Sequence, residues 1–369
     1  MPQLSARDEI VSVDVWPVDV PLDDPFVISR GRLSAAECAF VRVCVSGGEV
    51  GYGEIAPFAA LTGETRDASM ADARRLAASL VGRRVSEWRE LSEALEAMAP
   101  GSPAARTGLE CALVDALARS RGTPLHALWS QIDGARPDVR VRETDVTLPM
   151  LDDARVEALA QGWYQRGFRV LKLKVGNPDV DKDLARVESL ARRHPDVSFV
   201  LDANQGYDRA QARAFVERLR AWPARVRLFE QPVARDDFAG MAELRALAIV
   251  PIAADESVFT LADARRVIEA GAADVVNLKI MKSGLVRTIE IARAVRAAGL
   301  GLMIGGMMET RLAMGVSLSL VLGLGGIDHL DLDTPLLMSD DPWVGGYTYD
   351  GPRLIPSTQP GLGTQPKSA

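Results

Sequence analysis

The chain has 369 residues, and its 43 lysine and arginine residues against 50 aspartate and glutamate residues give a net charge of −7. Hydrophobic residues make up 47% of the chain and charged residues 25%, a globular composition that excludes a disordered, collagen-like or small disulfide-stapled protein. The mild acidic excess argues against a nucleic-acid surface, and no apolar run reaches the roughly 18 to 20 residues that a membrane span needs.

The amino terminus and the cysteines narrow the expected setting. The opening sequence MPQLSARDEI lacks the apolar centre of a secretory signal, so we expect a cytoplasmic protein. Cys38, Cys44 and Cys111 are too few and too scattered for a zinc site or a disulfide framework, and we expect them to be buried as small hydrophobic residues. The expected partner is therefore a small molecule, with neither nucleic acid nor membrane.

The first part of the chain predicts strands followed by helices. Apolar residues form strand-like runs at 10–16 and 41–45, and a serine-glycine-glycine turn after the second run predicts a hairpin. The clearest helix begins with Ser102 as its N-cap and a proline in its first turn, and it stops at Gly122. Strands then helices, without alternation, predict an α+β capping domain over residues 1–138.

From residue 139 to 345 the pattern changes to eight short apolar strands, each followed by a segment of helical length. The strand cores are VRVRETDVTL, RVLKLKV, VSFVLD, VRLFE, VPIAAD, DVVNLK, LGLMIGG and IDHLDLD. The residues that mark successive strand ends lie 24 to 30 positions apart, which fits one βα unit each. This predicts an α/β fold with a closed, modified TIM barrel of the (β/α)8 type. The alternative is a doubly wound sheet, but no GxGxxG motif opens a helix after the first strand. Residues 346–369 are expected to form an irregular return segment and a loose tail.

Lysines lie at the carboxyl ends of these strands, where a parallel barrel carries its chemistry. Lys172 and Lys174 alternate with leucines, so both lysines face the same side of their strand and point into the barrel mouth. Lys279 ends a later strand and enters from the far side of the barrel. Lys282 lies beyond that strand, and we interpret it as structural or peripheral.

Three carboxylates end successive strands: Asp202, Glu230 and Asp255. Carboxylates that converge near one point repel and raise each other's pKa unless a cation lies among them. All-oxygen ligands favour Mg²⁺ or Mn²⁺. A single acid of this kind can equally well cap the following helix, but three in consecutive units beside inward lysines favour a metal site.

A metal ion between two lysines has a specific chemical use. If a substrate carboxylate binds the metal, the charge that builds up when its α-proton is removed is stabilised as an enolate. One lysine removes the proton and the other returns it to the opposite face. The base must be neutral, so we expect the metal and the other ammonium groups to lower its pKa. We expect Lys172 to keep the pKa of Lys174 low and to contact the substrate carboxylate. Alternatively, an inward lysine merely pairs with a strand carboxylate.

These residues belong to motifs that resemble the muconate lactonizing enzyme subgroup of the enolase superfamily. The motifs are KLK at 172–174, DANQ at 202–205, EQP at 230–232, DES at 255–257 and NLKIMKSG at 277–284. The resemblance continues into the N-terminal domain, whose family counterpart caps the active site. It implies that Asp202, Glu230 and Asp255 bind magnesium and that Lys174 and Lys279 form the acid/base pair. It also implies that two further residues orient the metal ligands, namely Asn204 and Glu256.

The end of the eighth strand resembles the dipeptide epimerases of this subgroup. The sequence HLDLDTPLL places Asp331 and Asp333 on one face, a pair that in the family holds the ammonium of the N-terminal amino acid. Two such carboxylates suit a cation better than an acyl group; the alternative is that one of them caps a helix or contacts backbone. Thr147 and Gly306 match substrate-contact positions. The resemblance thus implies a Mg²⁺-dependent epimerase, with Mn²⁺ as an alternative, that inverts the C-terminal α-carbon of a dipeptide. We expect it to be a homo-oligomer.

Substrate preference is expected to come from two loops of the capping domain, near residues 23–33 and 56–65. Arg30 and Arg32 could meet an acidic side chain, as an Ala-Glu type of substrate requires. The family's arginine position falls on Gly31 between them, which leaves the preference open.

Other activities of the superfamily remain as alternatives. Three of them would use the same lysines but would leave Asp331 and Asp333 without a function. They are an N-acyl (N-succinyl) amino acid racemase, an o-succinylbenzoate synthase and a muconate cycloisomerase. Sugar-acid dehydratases commonly use histidine, and His126, His194 and His329 do not stand at either lysine position. A barrel that binds a ligand without turnover would lack a metal ligand or a base, and all five are present.

Overall fold

The computed structural model describes residues 7–220 and 225–368. The first six residues, part of the opening sequence on which the expected cytoplasmic location depends, lie outside the described residues. An antiparallel sheet in the order β1-β2-β3 opens the chain. Its strands are β1 (Ile10–Ile28), β2 (Gly31–Val45) and β3 (Val50–Ile55). Five helices follow: α1 (Ala59–Thr62), α2 (Arg66–Ala77), α3 (Trp88–Met98), α4 (Pro103–Ser120) and α5 (His126–Trp129).

Several expectations for this region need correction. The segment 23–33 is not an open loop, because Phe26–Ile28 pairs with Gly31–Leu33 as the tip of the β1–β2 hairpin beyond a bulge. Helix α4 starts where predicted, but the Ser102 hydroxyl bonds to the Asp72 carboxylate instead of capping the helix. Two of the cysteines are buried as expected, whereas Cys44 is only half-buried.

Glycines allow helix α4 to pack directly on strand β3. A Cβ atom on Gly53 would lie 1.9 Å from the carbonyl oxygen of Gly108, and one on Gly51 would lie 2.1 Å from the carbonyl oxygen of Ala112. Both contacts are with backbone, which cannot rotate away. The α4 helix is buried on all sides, so this close approach fixes the centre of the amino-terminal part.

Eight parallel strands in the order β12-β11-β10-β9-β8-β7-β6-β5 form the second sheet, as predicted. A hydrogen bond of 3.0 Å from Asp145 N to Leu330 O joins the two edges of the curled sheet. The strands are β5 (Val146–Leu148), β6 (Val170–Lys174), β7 (Ser198–Asp202), β8 (Arg225–Glu230), β9 (Ile252–Ala254), β10 (Val275–Leu278), β11 (Gly301–Ile304) and β12 (His329–Leu330).

A small apolar cluster fills the interior of the curled sheet and shows which side chains of six of its strands point inward. Its buried members are Val200, Leu228, Ala253, Val275 and Met303, and Val170 packs against it. Side chains two positions apart on a strand face the same side. The residues two or four positions further along therefore point inward as well, above the cluster. They are Lys172, Lys174, Asp202, Glu230, Asp255, Asn277 and Lys279.

Helices cover the outside of the sheet. They are α6 (Asp153–Gln165), α7 (Val180–Arg193), α8 (Arg209–Leu219), α9 (Phe238–Ala246), α10 (Leu261–Glu269), α11 (Ile280–Ser283), α12 (Leu285–Ala297) and α13 (Arg311–Leu324). Gly167 and Gly299 follow α6 and α12 with φ values of +95° and +77°, the left-handed backbone that ends a helix. Over the described residues, no helix combines the length and the apolar character needed to cross a membrane.

The two ends of the predicted barrel segment differ from expectation. The barrel strand β5 is shorter than the predicted run, because β4 (Arg142–Glu143) pairs instead with β15 (Arg353–Pro356), which also pairs with β14 (Tyr347–Asp350). Strand β13 (Trp343–Gly345) pairs with β16 (Thr364–Pro366). The return segment is therefore built from antiparallel pairs and is not irregular. The domain boundaries themselves stay predictions.

Two buried glutamates attach the amino-terminal part to the barrel. Glu110 of α4 accepts a hydrogen bond of 2.5 Å from Leu285 N, the first residue of α12. Glu54 of β3 accepts bonds of 2.8 Å from Thr310 N and 2.6 Å from its hydroxyl, at the start of α13. Carboxylates satisfy the free N–H groups of a helix start and interact well with its dipole. These contacts hold the cap over the carboxyl ends of the barrel strands.

The β3–α4 contact predicts the effect of adding one methyl group. Gly53→Ala should lower the free energy of unfolding by about 1 to 3 kcal/mol, because the new Cβ must displace backbone. The matched control is Gly162→Ala in the exposed part of α6, where a Cβ meets nothing within 4 Å; it should be neutral or stabilise by about 0.5 to 1 kcal/mol. Urea denaturation measures both. Equal stabilities would contradict the close approach.

Candidate active site

The predicted site residues meet at the carboxyl end of the barrel, beneath the cap. Asp202 and Glu230 are register partners on neighbouring strands, and Lys174 is the partner of Asp202 on its other side. All the predicted lysines and carboxylates are at least nine-tenths buried. The alternation of side chains along each strand explains why charges so costly to bury all point to one place.

Lys172 lies at the centre of the charged cluster. Its Nζ is 2.7 Å from Asp331 Oδ2, 2.8 Å from Glu230 Oε2 and 3.1 Å from Asp202 Oδ2. Although burial lowers it, the pKa of Lys172 is raised well above its usual value by Asp331, Glu230 and Asp202. This lysine is therefore an ammonium group that ties three strands together.

Lys174 and Lys279 enter the cluster from opposite sides. Lys174 Nζ donates to Asp202 Oδ2 at 2.6 Å, and Lys279 Nζ donates to Asp255 Oδ2 at 2.7 Å. Their strands, β6 and β10, are four positions apart in the order of eight. Half of a curled eight-stranded sheet thus separates the two ammonium groups. With Asp255 as its partner, the pKa of Lys279 is raised, because the attraction of this carboxylate outweighs burial.

Lys282 is not peripheral, contrary to one of our two interpretations. It is 3% exposed, and its Nζ donates at 2.6 Å to both Asp255 Oδ1 and Asp255 O and at 3.0 Å to Asn277 O. The short helix α11 places it there, braced by cap residue Thr107, whose hydroxyl donates to Ile280 O at 2.7 Å. The sequence showed a lysine beyond the strand, but not that the chain turns back towards the cluster.

Amide side chains hold the carboxylates in position. Asn277 Nδ2 donates to Glu230 Oε1 at 2.7 Å, and Asn204 Nδ2 donates to Glu256 Oε1 at 3.1 Å. Gln231 was missed as a site residue. Its Oε1 accepts from the N–H groups of Asp255 and Ser257 at 3.0 Å. The backbone of Asn204 and Gln231 is in the left-handed region, with φ of +43° and +36°, a strain typical of functional sites.

The second aspartate pair lies beside this cluster. Asp331 binds Lys172 as described, while Asp333 Oδ2 accepts from Thr147 N at 2.6 Å and its Oδ1 is buried without a hydrogen-bond partner. The structure thus contains the backbone contact that was the alternative interpretation, and it leaves one oxygen of the pair unused. Asp145, two residues before Thr147, is buried next to both aspartates and was missed, although its position on the inward face of the first strand was a usable signal.

Carboxyl groups outnumber ammonium groups in the buried cluster. Burial and the charge of Asp202 raise the pKa of Glu230 to about 7, and burial and the charge of Asp331 raise the pKa of Asp333 to about 7. In contrast, Lys174 and Lys172 outweigh burial and lower the pKa of Asp202 to about 2. An added cation would relieve the repulsion that raises the first two values.

The donor set fits a hard divalent cation, although the lysines hold its oxygens here. Glu230 Oε2 is buried and, despite the ion pair with Lys172, receives no hydrogen bond. Asp202, Glu230 and Asp255 offer only oxygen ligands, as Mg²⁺ prefers. Within residues 7–220 and 225–368, no three acidic, histidine or cysteine side chains are grouped closely enough to hold a metal ion together.

An apolar wall from the cap faces the lysines. Phe26 and Ile28 of β1, Phe58 and Leu61 near α1, and Met307 line the pocket that contains the three predicted active-site lysines. The predicted contact residues Thr147 and Gly306 line it as well. A Cβ on Gly306 would lie 2.2 Å from Met314 Cε and 2.9 Å from Glu309 Oε1, so a larger residue there would require these side chains to move.

The arginines of the hairpin tip do not line this pocket. Arg30 and Arg32 are exposed, and Arg30 Nε donates to Asn204 O at 3.2 Å. The segments expected to set specificity therefore contribute apolar side chains at this point and not their arginines.

The fold and the site are those of a known family of barrel enzymes, and the chain belongs to this family. Residues 10–129 match the mandelate racemase/muconate lactonizing enzyme N-terminal domain, and residues 155–369 match the enolase C-terminal domain-like family. The chain is thus a member of the enolase superfamily, as its motifs indicated.

Relatives and solved structures agree with this placement. The aromatic dipeptide epimerase of Herpetosiphon aurantiacus is 38% identical over 94% of this chain and 95% of its own. The substrate-liganded L-Ala-D/L-Glu epimerase of Bacillus subtilis has a TM-score of 0.93 at 30% identity, over 98% and 100% of the two chains. A dipeptide epimerase from Cytophaga hutchinsonii, complexed with Mg and D-Ala-L-Val, has a TM-score of 0.91 at 30% identity, over 97% and 96%.

The position of Lys282 generates a stability prediction. Lys282→Met should lower the free energy of unfolding by about 3 kcal/mol, because it leaves the buried Asp255 carboxylate with one cation fewer and removes one donor from each of two buried carbonyl groups. Lys182→Met is the matched control. Its ammonium group is exposed and 3.9 Å from Asp179, so the change should be below about 1 kcal/mol. Urea denaturation compares them, and similar losses in both would mean that Lys282 is peripheral after all.

Proposed function

We propose that the protein is a Mg²⁺-dependent dipeptide epimerase that inverts the α-carbon of the C-terminal residue by a 1,1-proton transfer. The observation that carries the proposal is the placement of Lys174 and Lys279 half a barrel apart, on either side of buried carboxylates, with Asp331 and Asp333 next to them. The names of the relatives support the same activity. The proposal retains the expected cytoplasmic location and homo-oligomeric state.

Asp202, Glu230 and Asp255 would hold the Mg²⁺ ion. When bound, the ion supplies positive charge that stabilises the negative charge developing on the substrate's carboxylate. The excess of buried carboxyl groups and the unbonded oxygen of Glu230 support this role. Binding would also release Lys174 and Lys279 from Asp202 and Asp255, to which they are paired.

The two lysines carry the proton. A neutral Lys174 amine takes the α-proton from one face as the Cα–H bond breaks, and its electron pair moves towards the carboxyl group. The ammonium of Lys279 donates a proton to the opposite face as the new Cα–H bond forms. The roles are exchanged for the other stereoisomer. Each lysine lies close to its strand's backbone and is nearly fully buried, so water is kept away from the reacting carbon.

The remaining predicted residues would bind the substrate. Lys172 is close enough to the metal ligands to contact a carboxylate held there. Asp331 and Asp333 would hold the terminal ammonium, with the unused Oδ1 of Asp333 as the acceptor. Thr147 positions Asp333 through its N–H group. Gly306 leaves room beside the α-carbon.

Proton NMR in deuterium oxide tests the activity. With Mg²⁺, L,L-dipeptides with an apolar C-terminal residue should gain deuterium at that residue's α-position, and chelation with EDTA should stop the exchange because the charge on the carboxylate is no longer stabilised. N-succinyl amino acids are the matched control, since they lack the free ammonium. Exchange of the N-succinyl compounds without exchange of any dipeptide would favour the racemase instead.

The two-face scheme predicts opposite defects in two variants. Lys174→Ala should slow α-proton exchange from one stereoisomer of the C-terminal residue by about a hundredfold or more relative to the other, and Lys279→Ala should do the reverse. The exposed Lys182→Ala serves as the control. The measurement is the rate of α-proton exchange with deuterium oxide for each stereoisomer. Equal and mild losses from both stereoisomers in both variants would contradict the scheme.

A further inference from the structure

A second cavity lies directly beside the lysine-containing pocket. It has a volume of about 160 Å³ and an apolar wall, and we call it the outer cavity. Its apolar lining residues are Leu22, Phe26, Pro149, Leu159, Trp163, Leu336 and Leu337, and the polar ones are Asp23, Asp24, Thr147, Arg155 and Arg166. A cavity of about 150 Å³ is known to hold benzene, so this volume suits one aromatic ring or one branched aliphatic side chain.

The outer cavity and the lysine-containing pocket share Phe26 and Thr147 as a common wall. The Phe26 ring centre is 5.6 Å from Lys174 Nζ, and Thr147 N holds Asp333 at 2.6 Å. The 3₁₀ turn Thr334–Leu337 follows Asp333 directly and contributes two of the leucines. The outer cavity therefore begins next to the aspartate pair and not next to the metal ligands.

Three segments are joined firmly around the outer cavity. Arg155 of α6 binds Asp24 of β1 with bonds of 2.9 and 2.6 Å. Ser339 N, just beyond the 3₁₀ turn, donates to Pro21 O at 2.9 Å. The cavity is thus a built space between joined segments, and two of its charged lining residues, Arg155 and Asp24, are paired with each other. The Arg166 guanidinium lies over the Trp163 ring, 4.2 Å from its centre.

We infer that the outer cavity receives the side chain of the N-terminal residue of the dipeptide and selects for a large apolar or aromatic one. The inference rests on the proposed function, in which Asp331 and Asp333 hold the terminal ammonium. The N-terminal side chain is attached to the carbon that carries this ammonium. It therefore emerges beside Asp333, which is bonded to Thr147, one of the two residues that line both the pocket and the outer cavity.

Paired substrates test the inference. Exchange of the C-terminal α-proton in deuterium oxide should have a kcat/KM at least about tenfold higher for L-Phe-L-Ala and L-Leu-L-Ala than for Gly-L-Ala, because a filled apolar pocket discriminates by about this factor. L-Glu-L-Ala tests whether Arg166 recruits an acid instead. A higher kcat/KM for L-Glu-L-Ala than for L-Leu-L-Ala, or no dependence on the first residue, would overturn the inference.

Filling the cavity provides the second arm. Leu159→Trp should lower the ratio of kcat/KM for L-Phe-L-Ala to that for Gly-L-Ala by about tenfold, because the indole occupies the space. The matched control is Ala158→Trp on the exposed side of the same helix, which should leave the ratio unchanged. Leu336→Trp fills the cavity from the opposite wall if Leu159→Trp does not fold. An unchanged ratio in a folded cavity variant would overturn the inference.

The two proposals fail in different ways. If no dipeptide exchanges its α-proton in the unmodified, Mg²⁺-loaded protein, the proposed function fails. If dipeptides exchange but the cavity variant changes all of them by the same factor, the proposed function stands and the assignment of the outer cavity is wrong.

Discussion

Charge balance inside the barrel mouth is the constraint on which the rest of the structure depends. Four lysines share a nearly water-free space with a larger number of carboxyl groups, and a single buried charge would be too costly without its partners. Lys172 forms ion pairs with carboxylates at the ends of three strands, while Lys279 and Lys282 each form an ion pair with one oxygen of Asp255. The cluster therefore helps to join the strands and contains the residues to which we assign the chemistry.

The cap contributes to this balance by closing the space. Glu54 and Glu110 bind the starts of two barrel helices, and Thr107 braces the turn that carries Lys282. The same part presents Phe26 and Phe58 to the lysines. Removing water strengthens every interaction between the charges. Stability of the cap and reactivity of the lysines are thus linked through one shared interface.

Strand alternation made much of the site predictable. The inward direction of Lys172 and Lys174 follows from their alternation with two leucines. The inward direction of Asp202, Glu230 and Asp255 follows from their positions at strand ends. Lys282 and Gln231 could not be placed in this way, because their positions depend on how the chain turns after leaving a strand. The sequence pattern predicts a loop at 23–33, which is the tip of a hairpin, because a bulge interrupts the alternation of side chains by which a strand is recognised.

The sequence by itself determined the eight-unit barrel, the inward charges and the family, because periodicity and strand-end motifs are local properties of the chain. Only the tertiary structure decided which carboxylate each lysine binds, that Arg30 and Arg32 do not line the pocket, and that a cavity lies beside Thr147, whose N–H group binds Asp333. These features arise where β1, α6 and the turn after β12 meet. Contacts between segments so distant in sequence are fixed by packing, which no local pattern records.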